Sequence, residues 1–146
     1  NIYGPVKDKI YWELCLQQIK KLPPNINVQY RGELAPAFLE ETLSPHHVFI
    51  MPSKSENFGH ALYEALSSGL PVITSHNTPW NSLQEKAAGI NTSPDPQDIT
   101  KAINYFTLMN NEQYTRFAEG AICYAKENLD AKKTEAKYRE MFDLNS

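Results

Sequence analysis

The sequence has few of the features that mark metalloproteins, disulfide scaffolds and membrane proteins. Its 146 residues include two cysteines, Cys15 and Cys123, which lie far apart without the spacing of a metal or redox site. We therefore expect buried free thiols in a reducing compartment. No apolar run approaches the roughly 20 residues of a membrane-spanning helix, and no signal-peptide pattern opens the chain.

Positive charge is also scarce. The chain carries 14 Lys and Arg residues against 17 Asp and Glu residues, which gives a formal net charge of -3. The basic residues are scattered and form no stripe, so the sequence argues against binding nucleic acid by neutralising its phosphates.

The motifs of several common enzyme classes are absent. The six glycines form no G-x-G-x-x-G, so the nicotinamide or flavin fingerprint is missing. The sequence also has no G-x-x-x-x-G-K-[ST], no G-x-S-x-G, no H-E-x-x-H and no Cys/His cluster. Since His46, His47 and His76 show no ligand spacing, we predict no metal site.

What the sequence does contain is an alternation of strand and helix patterns. Strands are predicted at Ile2–Tyr3, Ile26–Tyr30, Val48–Met51, Val72–Ser75 and near Ile90. Helices are predicted over 8–21, from Pro36 to Leu43, from about Gly59, from Thr78 to Ala88 with Gly89 after its end, and from Pro96 with Asp95 as N-cap.

The rest of the chain reads as helix throughout. Three apolar faces are expected, made by Ile99, Ala102, Ile103 and Phe106, by Phe117, Ala118, Ala121, Ile122 and Ala125, and by Tyr138, Met141 and Phe142. The pattern predicts an α/β fold over residues 1–146: one domain with a doubly wound parallel sheet, helices on both faces and an all-helical C-terminal segment.

One segment carries most of the chemical information. Between the strands at Val48–Met51 and Val72–Ser75 lie a polar loop with Glu56 and a helix with Glu64. Open α/β sheets bind ligands at the carboxyl ends of their strands, beside helix N-termini that attract anions. Two carboxylates at this edge suit the hydroxyl groups of a sugar or ribose that is attached to a phosphate.

Each of these acidic residues also has a simpler interpretation. On one continuous helix, two residues eight positions apart would lie about 80° apart around the axis. With Glu56 in the preceding loop, both can instead face the cleft above the sheet. Taken alone, Glu56 reads as solvated and Glu64 as part of an exposed helix face; the combination with Phe58-Gly59 favours a binding site.

The residues around the helix start also leave alternatives open. Gly59 lets the backbone approach a ligand closely, or is an ordinary loop glycine. His60 donates to a phosphate or sugar oxygen, or is an exposed residue of the first turn. For Ser53 and Ser55, capping of the helix is favoured over contact with a ligand.

Two further segments end strands at the predicted ligand edge of the sheet. A nucleobase could lie against the backbone of Arg31-Gly32-Glu33-Leu34, or this segment is a simple turn with a surface arginine. Trp80, in Thr78-Pro79-Trp80, either forms a wall for the sugar or the acceptor, or is buried in the core.

The central segment resembles a known signature. The matching residues are Pro52-Ser53-x-x-Glu56-x-Phe58-Gly59 through Glu64-Ala65-Leu66-x-x-Gly69-x-Pro71-Val72-Ile73. They resemble the E-x7-E signature of group-1 retaining glycosyltransferases with the GT-B fold. The whole chain looks like the C-terminal, Rossmann-like domain of such an enzyme, which binds the nucleotide sugar.

The resemblance implies a role for each matching residue. Glu64 would hold the ribose hydroxyls, and Glu56 would contact the donor sugar ring as the catalytic carboxylate. The main chain of Phe58, Gly59 and His60 would lie against the sugar and diphosphate. The turn with Arg31, Gly32 and Leu34 would meet the base.

The implied reaction moves a hexose from a nucleoside diphosphate sugar to an acceptor hydroxyl with retention of anomeric configuration. It uses no cofactor and no metal, since basic groups and helix N-termini stabilise the leaving diphosphate. A sugar or lipid-linked acceptor would bind through an N-terminal domain, in bacterial polysaccharide or cell-envelope synthesis. The resemblance implies a cytoplasmic protein, peripheral to the inner membrane face in its full-length form, with no span in this chain.

The chain also departs from the family pattern. His60 stands where a leucine is common, and His76-Asn77-Thr78-Pro79-Trp80 replaces the usual Gly-Gly. The family's basic pair on the diphosphate comes from a first strand–helix unit, and this chain begins at the second. We therefore expect that the first strand–helix unit of the domain is lacking and that the chain alone has little or no transferase activity.

Two other functions remain possible on the sequence. A non-catalytic nucleotide or nucleotide-sugar binding module would use the same residues without transfer. A flavodoxin-like signalling domain would need an acidic phosphoacceptor cluster at the strand ends, and the sequence has none.

Overall fold

The computed structural model describes residues 1–35 and 38–128, which fall into two compact units divided between Leu39 and Glu40. The first unit contains strand β1 (Ile2–Tyr3), helix α1 (Lys9–Ile19) and strand β2 (Tyr30–Gly32). β1 and β2 pair in parallel. The predicted helix over 8–21 is confirmed, and Asp8 caps it by accepting the N–H of Tyr11 at 2.9 Å.

The strand predicted at Ile26–Tyr30 was wrong in its extent. Only Tyr30 overlaps β2, because the two-residue β1 offers a very short partner for a parallel ladder. The N–H of Ile26 instead closes a turn by donating to the carbonyl of Pro23 at 2.9 Å.

The second unit is built around a parallel sheet. Its elements are β3 (Phe49–Met51), α3 (His60–Ser67), β4 (Val72–Ser75), β5 (Gly89–Thr92), α4 (Pro96–Thr107) and α5 (Asn111–Asn128), with the short α2 (Leu39–Leu43) before them. The strand order is β3-β4-β5, all parallel, with Ile50, Ile73 and Ile90 in register. The α/β class with parallel strands and flanking helices is thereby confirmed. The single domain over 1–146 and the lacking first strand–helix unit stay predictions.

The core of the second unit forms where α4 and α5 meet the sheet. Ile73 and Ile90 of the sheet pack with Phe106 of α4 and Phe117 of α5. The predicted N-cap of α4 is confirmed, since the Asp95 carboxylate accepts the N–H of Gln97 at 2.8 Å, with Pro96 as first helical residue. α3 buries Leu62, Ala65 and Leu66 and packs on β3, β4 and α5.

Two other expectations were wrong. Residues 78–88 form turns rather than a helix, and Gly89 opens β5 instead of following a helix end. Gly89 is required there because a Cβ would lie 2.1 Å from the carbonyl oxygen of Val72. Cys123 is exposed rather than buried, since α5 turns other positions inward, and Cys15 is half-buried. Pro36 and the predicted face of Tyr138, Met141 and Phe142 lie outside the described residues.

Candidate functional site

The loop that follows β3 is held by side chains at the end of β4. Thr74 Oγ1 donates to the carbonyl of Met51 at 2.9 Å, and Ser75 Oγ donates to the carbonyl of Ser53. Ser75 Oγ also accepts the N–H of Asn77 at 3.1 Å. Both hydroxyl-bearing residues are buried, so the carboxyl ends of the two strands are fixed to each other.

Glu56 lies in this loop and is half-buried. Its N–H donates to the carbonyl of Asn77 at 3.2 Å, and its Oε1 accepts the Ser53 hydroxyl at 3.1 Å. The main chain and one carboxylate oxygen are thus positioned by the protein. A carboxylate has about four acceptor positions, so Glu56 retains capacity for a ligand hydroxyl.

The next turn fixes the main chain of Phe58 and Gly59. The indole N–H of Trp80 donates to the Phe58 carbonyl at 2.5 Å, and the two rings pack edge to face with centroids 5.5 Å apart. Gly59 adopts a left-handed conformation with φ 76° and ψ 60°. A side chain at Gly59 would meet Leu62 Cδ1 at 3.0 Å, so the backbone turns in a space that only glycine fits without adjustment.

Helix α3 begins at this glycine without a side-chain cap. The Gly59 carbonyl accepts the N–H groups of Leu62 and Tyr63 at 2.9 and 3.1 Å, but no side chain caps the N-terminus. The capping predicted for Ser53 or Ser55 was wrong. The Ser53 hydroxyl instead lies between the carbonyl of Ser55 and the Glu56 carboxylate, at 3.0 and 3.1 Å. The start of α3 therefore keeps backbone N–H groups available to an anion.

His60 and Glu64 follow one another on α3. They are four residues apart and so lie on the same side of the helix. The His60 ring packs against Phe58 with centroids 4.8 Å apart, and Glu64 is half-buried. Within residues 1–35 and 38–128, no group donates a hydrogen bond to the Glu64 carboxylate. The structure thus brings Phe58, Gly59, His60 and Glu64 together at the start of one helix, with Glu56 in the loop before it.

Of the two interpretations of Trp80, burial in the core is correct. The side chain is 3% exposed. Its ring stacks on Tyr63 with centroids 6.1 Å apart and meets Tyr124 edge to face at 5.9 Å. Trp80 therefore supports the Phe58–Gly59 turn from behind and is not a wall of the ligand site.

The residues expected at the base belong to the first unit. Arg31 and Gly32 are in β2, and the exposed Arg31 donates its Nε–H to Asn1 Oδ1 at 3.2 Å. Gly32 has a positive φ of 75°, which suits a turn at the strand end, and Leu34 follows half-buried. The contact of Arg31, Gly32 and Leu34 with a base stays a prediction.

The sequence did not identify the roles by which Ser75, Asn77 and Trp80 hold the site. All three follow or end β4 and act on the loop before α3 through long-range contacts. A signal was present, since a serine at a strand end followed by His76, Asn77 and Thr78 is typical of side-chain-stabilised turns. The carbonyl that each group contacts could not be read from the sequence.

No group of three or more His, Cys, Asp or Glu side chains in the described part of the chain is arranged to hold a metal ion. Among the same residues, no helix combines the length and the apolar character that crossing a membrane requires.

Comparisons with known proteins give the chain a family context. A family model described as "Glycosyl transferases group 1" matches residues 11–122. Sucrose synthase of Nitrosomonas europaea is 26% identical over 111 residues, which cover 73% of this chain and 14% of that protein. Sulfoquinovosyl transferase SQD2 of Arabidopsis thaliana is 37% identical over 57 residues, which cover 39% of this chain and 11% of that protein. The chain thus spans a small part of the curated relatives that it matches.

A solved structure shows the same fold. The crystal structure of Anabaena HepE in complex with UDP and glucose superposes with a TM-score of 0.74 at 20% sequence identity. The match covers 97% of this chain and 39% of that one. At this identity the similarity establishes the fold.

Proposed function

This chain belongs to the group 1 glycosyltransferase family, and we propose that it is the donor-binding half of a retaining glycosyltransferase. The enzyme moves a hexose from a nucleoside diphosphate sugar to the hydroxyl of a sugar or lipid-linked acceptor, in synthesis of bacterial polysaccharide or cell-envelope glycans. The observation that carries the proposal is the uncapped start of α3 at Gly59, with carboxylates of Glu56 and Glu64 before and after it.

The diphosphate binds at the start of α3. The N-terminal N–H groups of a helix point at an incoming anion, and the helix dipole adds favourable charge. Gly59 has no side chain that would keep the phosphates away, and His60 lies in the first turn as a further donor. These groups stabilise the negative charge that develops on the leaving diphosphate.

The two carboxylates bind hydroxyl groups. Glu64 accepts hydrogen bonds from the ribose hydroxyls, since its carboxylate lacks a donor among the described residues and two vicinal hydroxyls can share its two oxygens. Glu56 accepts from the donor sugar ring with the oxygen that Ser53 leaves free. The main chain of Phe58 lines the sugar, and Arg31, Gly32 and Leu34 contact the base.

The proposed mechanism uses no metal ion and no cofactor. Backbone N–H groups at the start of α3 and His60 balance the charge of the leaving group. Anabaena HepE, whose structure contains UDP and glucose, supports a nucleotide-sugar ligand for this fold. We place the full-length enzyme in the cytoplasm, at the inner face of the membrane where a lipid-linked acceptor is presented.

The first test is a calorimetric titration of the protein with UDP-, GDP- and ADP-sugars. A hydrogen bond to a charged group contributes about 1.5–3 kcal/mol, so Glu64→Ala should weaken binding of the preferred nucleotide sugar roughly 10- to 100-fold. Glu119→Ala is the matched control, since Glu119 is an exposed carboxylate of α5 with no assigned role in donor binding. Unchanged affinity on losing Glu64 would contradict its ribose role.

A second titration separates the two carboxylates. Glu56→Ala should lower discrimination between sugars, and turnover in the full-length enzyme, more than it lowers affinity for the free nucleoside diphosphate. Equal losses for the free nucleotide and the nucleotide sugar would show that Glu56 does not contact the sugar. Tight donor binding by a full-length protein without any transfer would favour the non-catalytic binding module.

A further inference from the structure

A cavity of about 610 Å³ lies in the second unit, separate from the residues assigned to the donor. It opens where β4 and β5 end and is bounded by α4. Two of its polar lining residues, Gln84 and Asn91, already accept backbone N–H groups with their side-chain oxygens. The other polar lining residues are His76, Thr92, Ser93, Asp98, Lys101 and Tyr105. None of the residues assigned to the donor lines it.

The spacing of residues along α4 forms one wall of the cavity. Asp98, Lys101 and Tyr105 follow one another at spacings of three and four residues, which places them along one face of the helix. Ala102 lies on the same face, and its small side chain leaves space for the cavity. Side chains of β5 and α4 therefore face the same cavity.

The charge of the cavity argues against a phosphate or a nucleotide. Lys101 Nζ donates to Asp98 Oδ1 at 2.8 Å, so the lysine and the aspartate lining the cavity form an ion pair. An anion would have to compete with Asp98 for the lysine. A neutral ligand faces no such competition.

The remaining chemistry matches a sugar ring. Ser93 and Thr92 supply hydroxyls that can donate and accept, Asp98 accepts, and the His76 ring is exposed at the mouth. Tyr105 is 52% exposed and offers both an aromatic surface and a phenol group. A pyranose combines an apolar C–H face, which packs on an aromatic ring, with hydroxyls that need donors and acceptors around its rim.

We infer that this cavity is a second saccharide site, which contacts a ring of the acceptor glycan other than the reacting one and so adds to the acceptor's binding through an N-terminal domain. The inference rests on the proposed function. The cavity and the donor site share the loop after β4: His76 lines the cavity, and the carbonyl of the next residue, Asn77, accepts the N–H of Glu56. A glycan that presents its terminal hydroxyl to the donor sugar can thus rest an adjacent ring against Tyr105.

The test is an NMR titration of the chain with methyl glucoside, methyl galactoside and maltotriose. We expect the backbone amides of Ser93 and Lys101 to shift with at least one of these saccharides. The variant Tyr105→Ala should weaken that saccharide at least fivefold, and Asp98→Asn should weaken it as well while removing less packing. The control is Asn104→Ala, an exposed neighbour on α4 that does not line the cavity. Thermal unfolding of each variant checks that it remains folded.

Titration of the same samples with the UDP-, GDP- and ADP-sugars separates this inference from the proposed function. If a nucleotide sugar shifts the amides of Gly59 and Glu64 while no saccharide shifts Ser93 or Lys101, the cavity is not a saccharide site and the donor assignment stands. If a saccharide binds the cavity but no nucleotide sugar binds, the donor assignment fails and the saccharide site stands without its acceptor role. Equal saccharide affinity in Tyr105→Ala, Asp98→Asn and wild type would also overturn the inference.

Discussion

Gly59 and Trp80 hold the same peptide segment from two sides. The indole N–H of Trp80 satisfies the Phe58 carbonyl, and the positive φ of Gly59 turns the chain into α3 directly afterwards. The wall that a Cβ at Gly59 would meet includes Trp80 Nε1 at 3.4 Å. The close packing that fixes the turn is therefore the same packing that excludes a side chain.

This leads to a prediction for Gly59→Ala. A non-glycine residue in the left-handed region costs about 1–2 kcal/mol, so the free energy of unfolding should fall by about that amount. The affinity for the nucleotide sugar should fall as well, because the added methyl group displaces the turn. Urea denaturation and calorimetry measure the two effects.

The matched control is Gly69→Ala. Gly69 has nearly the same φ, 77° against 76°, but its Cβ would meet the flexible Ile122 Cδ1 at 3.3 Å. We expect a similar loss of stability and an unchanged donor affinity. If both variants bind the donor equally well, the turn at Gly59 does not shape the donor site.

Among the elements, the segment from Trp80 to Gly89 shows how side chains replace regular structure. The apolar pattern there predicted a helix, but Asn91 Oδ1 accepts the N–H of Leu83 at 3.1 Å and its Nδ2 donates to the carbonyl of Trp80 at 2.8 Å. Backbone groups that a helix would pair internally are thus satisfied by a side chain from β5. Ser82 and Ala87 also adopt positive φ values, which no α-helix contains.

Removing the Asn91 amide should therefore cost more than a surface substitution. Asn91→Leu leaves the buried Leu83 N–H and the Trp80 carbonyl unpaired, at about 1–3 kcal/mol for each group. Urea denaturation should show a loss of at least about 2 kcal/mol, against less than about 0.5 kcal/mol for Asn104→Ala on the exposed side of α4. A loss of similar size in both variants would show that this network does not hold the segment.

Helix α5 is tied to the same segment by Tyr124. Its hydroxyl donates to the carbonyl of Asn81 at 2.6 Å, and burial raises the pKa of Tyr124 above its ordinary value of 10.0. The folded state therefore holds this proton more tightly than the unfolded state. The stabilisation is present below pH 10 and is lost as the pH rises through the folded pKa.

We predict that stability falls less steeply above pH 10 in Tyr124→Phe than in the wild type. Thermal unfolding between pH 8 and pH 11 measures the slopes. A residual slope should remain in the variant, since burial also raises the pKa of Tyr114. Parallel curves for both proteins would rule out Tyr124 as a source of the pH dependence.

For the whole molecule, the arrangement of the strands determines what the chain can do alone. In the described residues the strands form two sheets, β1-β2 and β3-β4-β5, and β3 has β4 as its one partner. Beside β3 lies a groove of about 470 Å³ lined mainly by apolar side chains, including Ile50, Ile103 and Phe106. An open strand edge beside an apolar groove is a place where a further strand or helix can pack.

Because the chain spans 39% of the HepE chain whose fold it shares, we predict that the isolated chain binds a nucleotide sugar weakly and transfers no sugar at a measurable rate. An assay that follows release of nucleoside diphosphate, with a mixture of simple glycosides as acceptors, checks this. A full-length family member serves as the positive control. Turnover by the isolated chain that Glu56→Ala abolishes would show that these residues suffice for catalysis.

The sequence predicted the elements whose signals are local. The helix start at Gly59, the cap of α4 at Asp95 and the strands at Val48–Met51 and Val72–Ser75 depend on backbone preferences and on period, which neighbouring residues carry. The predictions of a capping role for Ser53 and of a helix over 78–88 were wrong because competing hydrogen bonds formed. The Ser53 hydroxyl donates to the carbonyl of Ser55 in a local turn. The N–H of Leu83 donates to the side chain of Asn91 rather than to a helical carbonyl.

The family and the α/β class of this protein were determined by its sequence, because spacing and apolar period are properties of the chain itself. Only the tertiary structure decided that Trp80 is buried behind the Phe58–Gly59 turn, that α3 begins without a cap, and that a polar cavity opens beside α4. Each of these depends on which distant group fills a space or satisfies a hydrogen bond. Such pairings are set by the packing of the elements, and the local sequence pattern does not identify the partners.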